Sequence, residues 1–76
     1  MITVKLFGLL RLESGIKERQ LEATSVKEVL LVLEAAGIHK KDLNGCVILV
    51  GGKPANKRTK LQDGDTVVLM PPVAGG

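Results

Sequence analysis

Hydrophobic and polar residues alternate at the start of the chain. One parity holds Ile2, Val4 and Leu6, and the other holds Thr3, Lys5 and Phe7. A period of two is typical of a half-buried β-strand with one parity facing the core. Phe7 falls on the polar parity, which indicates either a strand-end residue covered by a loop or a contact for a partner. After Gly8 we expect a loop as far as Ser14, and then a weaker strand over residues 16–22 that forms a hairpin with the first.

Apolar residues recur at intervals of three and four in the next segment. They are Val26, Val29, Leu30, Leu33 and Ala36. This spacing places them on one side of an α-helix, so we predict a helix over residues 25–36 that covers one face of a sheet. Ser25, with Glu28 three residues later, predicts a capping box at the start of the helix, and Gly37 predicts its end.

A continuous apolar run follows the helix. Residues 46–50, which begin with Cys46, are typical of a strand that is largely covered on both faces. Gly51 and Gly52 predict a turn into residues 53–56. Because Pro54 lacks a backbone N–H, it restricts this short piece to an edge or irregular strand.

The last strand is predicted from a turn on one side and two prolines on the other. Asp-Gly-Asp at residues 63–65 is a turn sequence, and Leu61 before it is expected to anchor the loop in the core. Residues 66–70 have the β-branched and apolar content of a strand. Pro71 and Pro72 end it, because they fix φ and withhold backbone donors.

The element order is strand, strand, helix, strand, short strand, strand. The helix lies in a crossover long enough to bring the later strands back beside the first. One mixed sheet of four to five strands packed on one main helix is the simplest way to bury both apolar stripes, so we predict an α+β fold of the β-grasp, or ubiquitin-like, architecture. The predicted domain covers residues 1–70, and residues 71–76 form an extended tail.

The side chains of the last strand should divide between the two faces of the sheet. If Val67 and Leu69 point into the core, then Val68 and Met70 point outward. With the last strand beside the first, Phe7 joins them in an exposed apolar patch near the start of the tail. The tail ends in Gly75 and Gly76, which could enter a channel too narrow for any side chain. A frayed terminus is the alternative interpretation of this ending.

Composition limits the classes of function. The chain has 76 residues, of which 45% are hydrophobic and 25% charged, with Phe7 as its only aromatic residue. This describes one small globular domain without room for an enclosed catalytic cleft. The single cysteine excludes an internal disulfide, and we interpret Cys46 as a small buried hydrophobic residue in a protein of the reducing cytoplasm. His39 lacks a second histidine or a nucleophile and is interpreted as a surface residue.

The net charge of +3 raises the question of an anionic partner. The densest basic stretches are residues 40–41 and 53–60, which could contact nucleic acid. The sequence has no stacking aromatic residue beyond Phe7 and no recognisable nucleic-acid-binding motif, so we favour solvated lysines. The sequence also lacks an apolar run of about 20 residues and a signal peptide, so we expect neither a membrane partner nor export.

Three segments carry a resemblance to a known family. They are Val4-Lys-Leu-Phe-Gly-Leu-Leu-Arg11, Leu61-Gln-Asp-Gly-Asp65 and Pro71-Pro-Val-Ala-Gly-Gly76. Together they resemble the MoaD/ThiS family of ubiquitin-like sulfur carriers, and most closely its molybdopterin synthase small subunits (MoaD). The likeness extends over nearly the whole chain in length and element order, and its specificity comes from the last sixteen residues.

The resemblance implies a carrier cycle in molybdenum cofactor biosynthesis. An E1-like adenylating enzyme would use ATP and Mg²⁺ to adenylate the carboxylate of Gly76. A sulfur donor such as a rhodanese or a cysteine desulfurase would convert the adenylate into a thiocarboxylate. A large, MoaE-like synthase subunit would transfer that sulfur into the pterin dithiolene. The chain itself would bind no cofactor or metal and supply no catalytic side chain, as a non-catalytic subunit of a sulfurtransferase.

The resemblance also implies roles for individual residues. Gly76 would be the site of adenylation and thiocarboxylation, and Gly75 would give clearance. The arm would be set by Pro71, Pro72 and Val73. The expected docking residues are Phe7, Arg11, Val68 and Met70.

Other functions fit the same ending. A sulfur carrier for thiamine thiazole or for tRNA thiolation shares the activation chemistry, and so does a ubiquitin-like modifier attached to lysines through Gly76. A ubiquitin-like binding module without terminal chemistry is the third class. In that class the sheet face would bind and the tail would be dispensable.

Overall fold

The computed structural model describes residues 1–72, and its strands and helices follow the apolar pattern along most of the chain. The strands are β1 (Ile2–Leu6), β2 (Glu18–Leu21), β3 (Val47–Val50), β4 (Lys53–Pro54) and β5 (Thr66–Met70). The helices are α1 (Gly8–Ser14), α2 (Val26–Ala35) and α3 (Lys40–Gly45). Among the residues that the structure describes, none of the helices is long and apolar enough to cross a membrane.

The five strands form one mixed sheet in the order β2-β1-β5-β3-β4. The first and last strands of the chain, β1 and β5, pair in parallel at the centre. The other neighbouring strands pair antiparallel. The predicted β-grasp architecture is therefore confirmed, with β5 supported by a strand on each side.

The core lies between the sheet and α2. From the sheet, β1 and β5 contribute inward side chains that include Val4, Val67 and Leu69, each 0% exposed. From the helix, Val29 and Leu33 are also 0% exposed. Burial of this aliphatic set, which is the main favourable term in folding, fixes the register of β5.

Two short helices replace segments that the sequence pattern left irregular. The expected loop at residues 9–14 is instead α1, which buries Leu10 and ends at Gly15 with a φ of 71°. The segment after His39 forms α3, which buries Leu43. Each helix places a single buried side chain in the core, which is too little for a repeating apolar stripe to show in the sequence. The connection between β1 and β2 is therefore a helix, although the two strands pair antiparallel as expected.

The start of α2 is capped differently from the prediction. The side chain of Ser25 makes no capping hydrogen bond. The backbone amides of Val26 and Lys27 instead donate to carbonyl oxygens of the loop at residues 57–59. Because this loop already satisfies the first amides of the helix, the Ser25 hydroxyl has no capping role left.

Glu28 caps the residue before Ser25. Its Oε1 accepts hydrogen bonds from the Thr24 backbone amide, at 2.6 Å, and from the Thr24 hydroxyl, at 3.0 Å. These bonds lower the pKa of Glu28 from its ordinary value of 4.5, the amide contributing most. The predicted capping box between Ser25 and Glu28 is therefore not formed, and Glu28 binds the preceding residue instead.

We expect Glu28→Gln to destabilise the protein in a pH-dependent way. A carboxylate whose pKa is lower in the folded state adds stability above its unfolded pKa, and this stability is lost as the pH falls through the folded pKa. The difference in unfolding free energy between wild type and variant should be largest at neutral pH and should decrease below about pH 4.5. Urea unfolding across this range measures it, with Glu22→Gln as the control for losing an exposed carboxylate. A difference that stays constant with pH would contradict the proposed cap.

Candidate functional site

The sheet face that points away from α2 is apolar around β5. Val68 lies opposite Lys5 of β1 and Leu49 of β3, while Met70 lies opposite Val47 of β3. Val68 and Met70 alternate along β5 with the buried Val67 and Leu69, so their side chains point away from the core. We define the outer face as Val47, Leu49, Val68, Met70 and Phe7.

The outer face is accessible without being a pocket. Its four strand residues are each partly exposed, and the ring of Phe7 is 45% exposed. An apolar surface of this kind, built on the rigid centre of a sheet, is suited to contact with another protein. The structure brings together three of the predicted docking residues, namely Phe7, Val68 and Met70.

Two members of the outer face were missed from the sequence. Val47 and Leu49 lie within an apolar run, in which both parities look alike. Only the pairing of β3 with β5 separates them from Ile48 and Val50, which pack against the core. All four residues of β3 are partly exposed, so this strand is less buried than the sequence predicted.

Phe7 extends the outer face to the end of β1. Its backbone amide donates to the Leu69 carbonyl oxygen at 3.1 Å, so that the residue continues the parallel ladder beside β5. The ring is exposed rather than folded under a loop. On the adjoining helix α1, Leu9 and Leu12 are 52% and 79% exposed, and sequence analysis did not single them out.

Arg11, the fourth predicted docking residue, lies on α1 next to Phe7. The two side chains line a shallow depression together with Lys5, Lys17 and Glu18. The edge of the outer face therefore carries more positive than negative charge. Such a rim can orient an acidic partner surface, because complementary charge guides association.

The tail begins where β5 ends, close to α1. Pro71 is half-buried, and a Cβ atom added at Gly8 would lie 2.6 Å from Pro71 Cγ and 2.9 Å from Pro71 Cδ. Gly8 also has a φ of 61°, which L-amino acids rarely adopt. Glycine at this position thus allows both the turn into α1 and the close approach of the proline that starts the tail.

The rest of the predicted tail site lies outside the described residues. This applies to Val73, Gly75 and Gly76, whose expected roles stay predictions. Pro72, the last described residue, is exposed. What the structure establishes is that the tail starts at the end of the central strand, beside the outer face.

We expect Gly8→Ala to disturb the start of the tail, whereas Gly15→Ala should not. Both glycines flank α1 with positive φ, and each substitution should lower the unfolding free energy by about 1 kcal/mol. Only the methyl group at position 8 meets Pro71, since Gly15 has nothing within 4 Å of an added Cβ.

A double-variant cycle isolates this contact. Pro71→Ala removes Cγ and Cδ and leaves Cβ, at 4.0 Å from the added methyl carbon, in ordinary contact. Gly8→Ala should therefore cost less stability in the Pro71→Ala background than alone. Urea unfolding and the amide shifts of Leu69 and Met70 measure both effects. Additive costs and unchanged shifts would contradict the contact.

The titratable side chains of the described region do not assemble a reactive centre. No group of three or more His, Cys, Asp or Glu residues within residues 1–72 could hold a metal ion. Burial raises the pKa of the Cys46 thiol, whose Sγ donates to the Leu43 carbonyl oxygen at 3.0 Å. A thiol with a raised pKa is a weak nucleophile.

Sequence comparison places nearly all of the chain in one family. The model of the ThiS family matches residues 4–76. Among curated proteins, none matches the chain by sequence.

Several solved structures share the fold. The small archaeal modifier protein SAMP1 from Methanosarcina acetivorans is 30% identical, with a TM-score of 0.81 over 99% of this chain and 95% of that one. A chain in the complex of subunits 1 and 2 of the molybdopterin-converting factor from Helicobacter pylori is 29% identical, with a TM-score of 0.72 over 99% of this chain and 97% of that one. SAMP1 from Haloferax volcanii is 23% identical, with a TM-score of 0.82 over 99% and 98%, and at this identity it shows the fold alone.

Proposed function

This chain belongs to the ThiS family, and from this premise we propose that it is a sulfur carrier that serves as the small subunit of a molybdopterin synthase. The family resemblance inferred from sequence is thereby confirmed. The choice of the molybdopterin pathway rests on the Pro71-Pro72-Val73 start of the tail. It is also supported by the 29% identity to a chain of the Helicobacter pylori molybdopterin-converting factor complex.

One structural observation carries the proposal more than any other. A single strand, β5, presents Val68 and Met70 on the outer face and continues directly into Pro71 and Pro72. A partner that docks on this face therefore meets the start of the tail at a fixed position. Docking and delivery of the chain end are coupled through a rigid element, as a carrier requires.

The proposed chemistry takes place at the carboxylate of Gly76. A carboxylate is a poor electrophile because its charge is delocalised, so an E1-like partner first joins it to AMP from ATP and releases pyrophosphate, with Mg²⁺ in the partner's active site. AMP is a good leaving group, and the terminal sulfur of a persulfide on a donor of the rhodanese or cysteine desulfurase type displaces it. A second thiol then cleaves the resulting acyl disulfide, which leaves the thiocarboxylate on Gly76 and a disulfide between the two thiols. The thiocarboxylate then enters the active site of a large synthase subunit, where it is shielded from water.

Reconstitution tests this proposal. The full chain is incubated with an E1-like enzyme, ATP, Mg²⁺ and a sulfur donor, and its intact mass is measured. We expect a gain that equals the replacement of one oxygen by sulfur, followed by loss of that sulfur to a pterin precursor when a large subunit is added. A mass that never changes would contradict the carrier role. Transfer only to a thiazole or tRNA substrate would contradict the molybdopterin assignment alone.

A protein modifier is the second candidate function. It is favoured by the 30% identity to SAMP1 from Methanosarcina acetivorans, which its name describes as a modifier. In that case the adenylated Gly76 would be transferred to lysine amines of target proteins. Mass spectrometry of tryptic peptides for lysines that carry the chain's C-terminal residues distinguishes the two functions, and one chain could perform both.

A further inference from the structure

The helix side of the molecule carries a groove between α2 and α3. Its apolar floor is formed by Leu30, Leu31 and Leu43, and its rim carries Lys27, Lys40 and Lys57. Leu31 is 56% exposed and adds accessible apolar surface to the groove. Because α2 packs on the inner face of the sheet, this groove faces away from the outer face.

The loop that supplies Lys57 is held firmly against the helix. The Lys57 carbonyl oxygen accepts a hydrogen bond from the Lys27 amide at 3.2 Å, and the Thr59 carbonyl oxygen accepts one from Val26 at 3.0 Å. Within the loop, the Arg58 amide donates to Asn56 Oδ1 at 2.8 Å. The backbone that carries these cations is thus fixed before any partner binds, which lowers the entropic cost of binding.

The positive charge of the protein is concentrated on this side. A neighbouring depression shares Lys27 and Lys57 and adds Arg58 and Lys60. The two depressions together carry five basic side chains. Two carboxylates lie among them, Glu34 in the groove and Glu28 close to Lys60. These seven side chains have a formal net charge of +3, which equals the net charge of the whole chain, so the charges of the other side chains cancel. The excess charge is therefore a local feature of the helix side.

We propose that this groove, the lysine groove, is a second docking surface that binds an acidic, leucine-bearing segment of a partner protein. The lysine rim matches the acidic side chains, and the exposed side of Leu31 offers contact to an aliphatic anchor. Nucleic acid fits less well, because base stacking needs aromatic side chains and the only one, Phe7, lies beyond the sheet. The lysine groove uses neither the outer face nor the tail, so its partner can bind while both are occupied.

Fluorescence anisotropy with a labelled acidic peptide tests the proposal on the full chain. The probe is a short run of glutamate and aspartate with two central leucines. Lys27→Glu/Lys57→Glu should weaken binding by at least about tenfold, and Leu31→Ser by about fivefold. The control Arg19→Glu/Lys53→Glu makes the same change of net charge on exposed residues elsewhere and should change binding by less than about twofold. Circular dichroism verifies folding of each variant.

Three results would overturn the proposal. Equal weakening by the two double variants would reduce the effect to general attraction between opposite charges. Equal binding of a peptide with serine in place of leucine would remove the role of the apolar floor. Tighter binding of oligouridylate or of phosphatidylserine vesicles, lost in Lys27→Glu/Lys57→Glu, would assign the surface to RNA or membrane instead. Thiocarboxylation of Gly76 is measured on the same variants and should be unchanged, so failure here is separable from failure of the carrier role.

Discussion

Removal of Gly75 and Gly76 is expected to abolish thiocarboxylate formation completely while leaving the fold intact. The buried core and the sheet pairings that the structure describes lie within residues 1–72, so the truncated chain keeps these stabilising contacts. We therefore expect its unfolding free energy to stay within about 0.5 kcal/mol of wild type. Intact mass after incubation with the E1-like enzyme and sulfur donor, together with urea unfolding, measures both parts.

A chain extended by one alanine after Gly76 is the matched control. It retains every native residue but moves the carboxylate by one position and adds a methyl group beside it. If two bare glycines are needed to reach the activating site, this variant should also fail. Retained sulfur transfer by the truncated chain would show that Gly76 is not the reacting residue, and the binding-module alternative would then be favoured.

The elements that were predictable from sequence are those with strong local patterns. The β-branched and apolar content of residues 66–70, closed by two prolines, predicted β5, and the structure buries Val67 and Leu69 as expected for one face of that strand. The repeat along α2 likewise predicted its buried face. In α2 several side chains enter the core, so the hydrophobic period is visible without tertiary information, whereas β5 was recognised from its composition and its boundaries.

The features that sequence reasoning missed depend on contacts between distant segments. The capping of α2 by the loop at residues 57–59 could not be predicted from Ser25 and Glu28, because the carbonyl oxygens that accept from the helix amides lie thirty or more residues away in the chain. The contact of Gly8 with Pro71 likewise joins opposite ends of the chain. Short-range motifs indicate what a segment prefers, and tertiary packing then decides which group satisfies it.

The two surfaces of the protein differ in the partner chemistry that they suit. The outer face is apolar with a small basic rim at Arg11, next to the start of the tail. The lysine groove is strongly basic and lies on the helix side, away from the tail. A carrier must meet several enzymes in sequence, and two independent surfaces would allow it to be held by one while its end is presented to another.

Val68→Asp is expected to weaken binding of the large synthase subunit by at least about 30-fold, corresponding to about 2 kcal/mol. Val68 lies at the centre of the outer face, between Lys5 and Leu49 on the neighbouring strands. A partner that covers this position must remove the new carboxylate from water, which is costly unless the charge is paired. In the free protein the side chain is only partly buried and Lys5 is adjacent, so the fold should be retained.

The control for this variant is Val32→Asp, which adds the same charge on α2, at a residue that is 38% exposed. Isothermal titration of each variant with the large subunit should show a large loss for Val68→Asp and a change of less than about threefold for Val32→Asp. Adenylation by the E1-like enzyme, measured in parallel, reveals whether that partner uses the same face. Equal affinities of wild type and Val68→Asp would exclude the outer face as the docking site, because a carboxylate at its centre, even beside Lys5, could not be removed from water without loss.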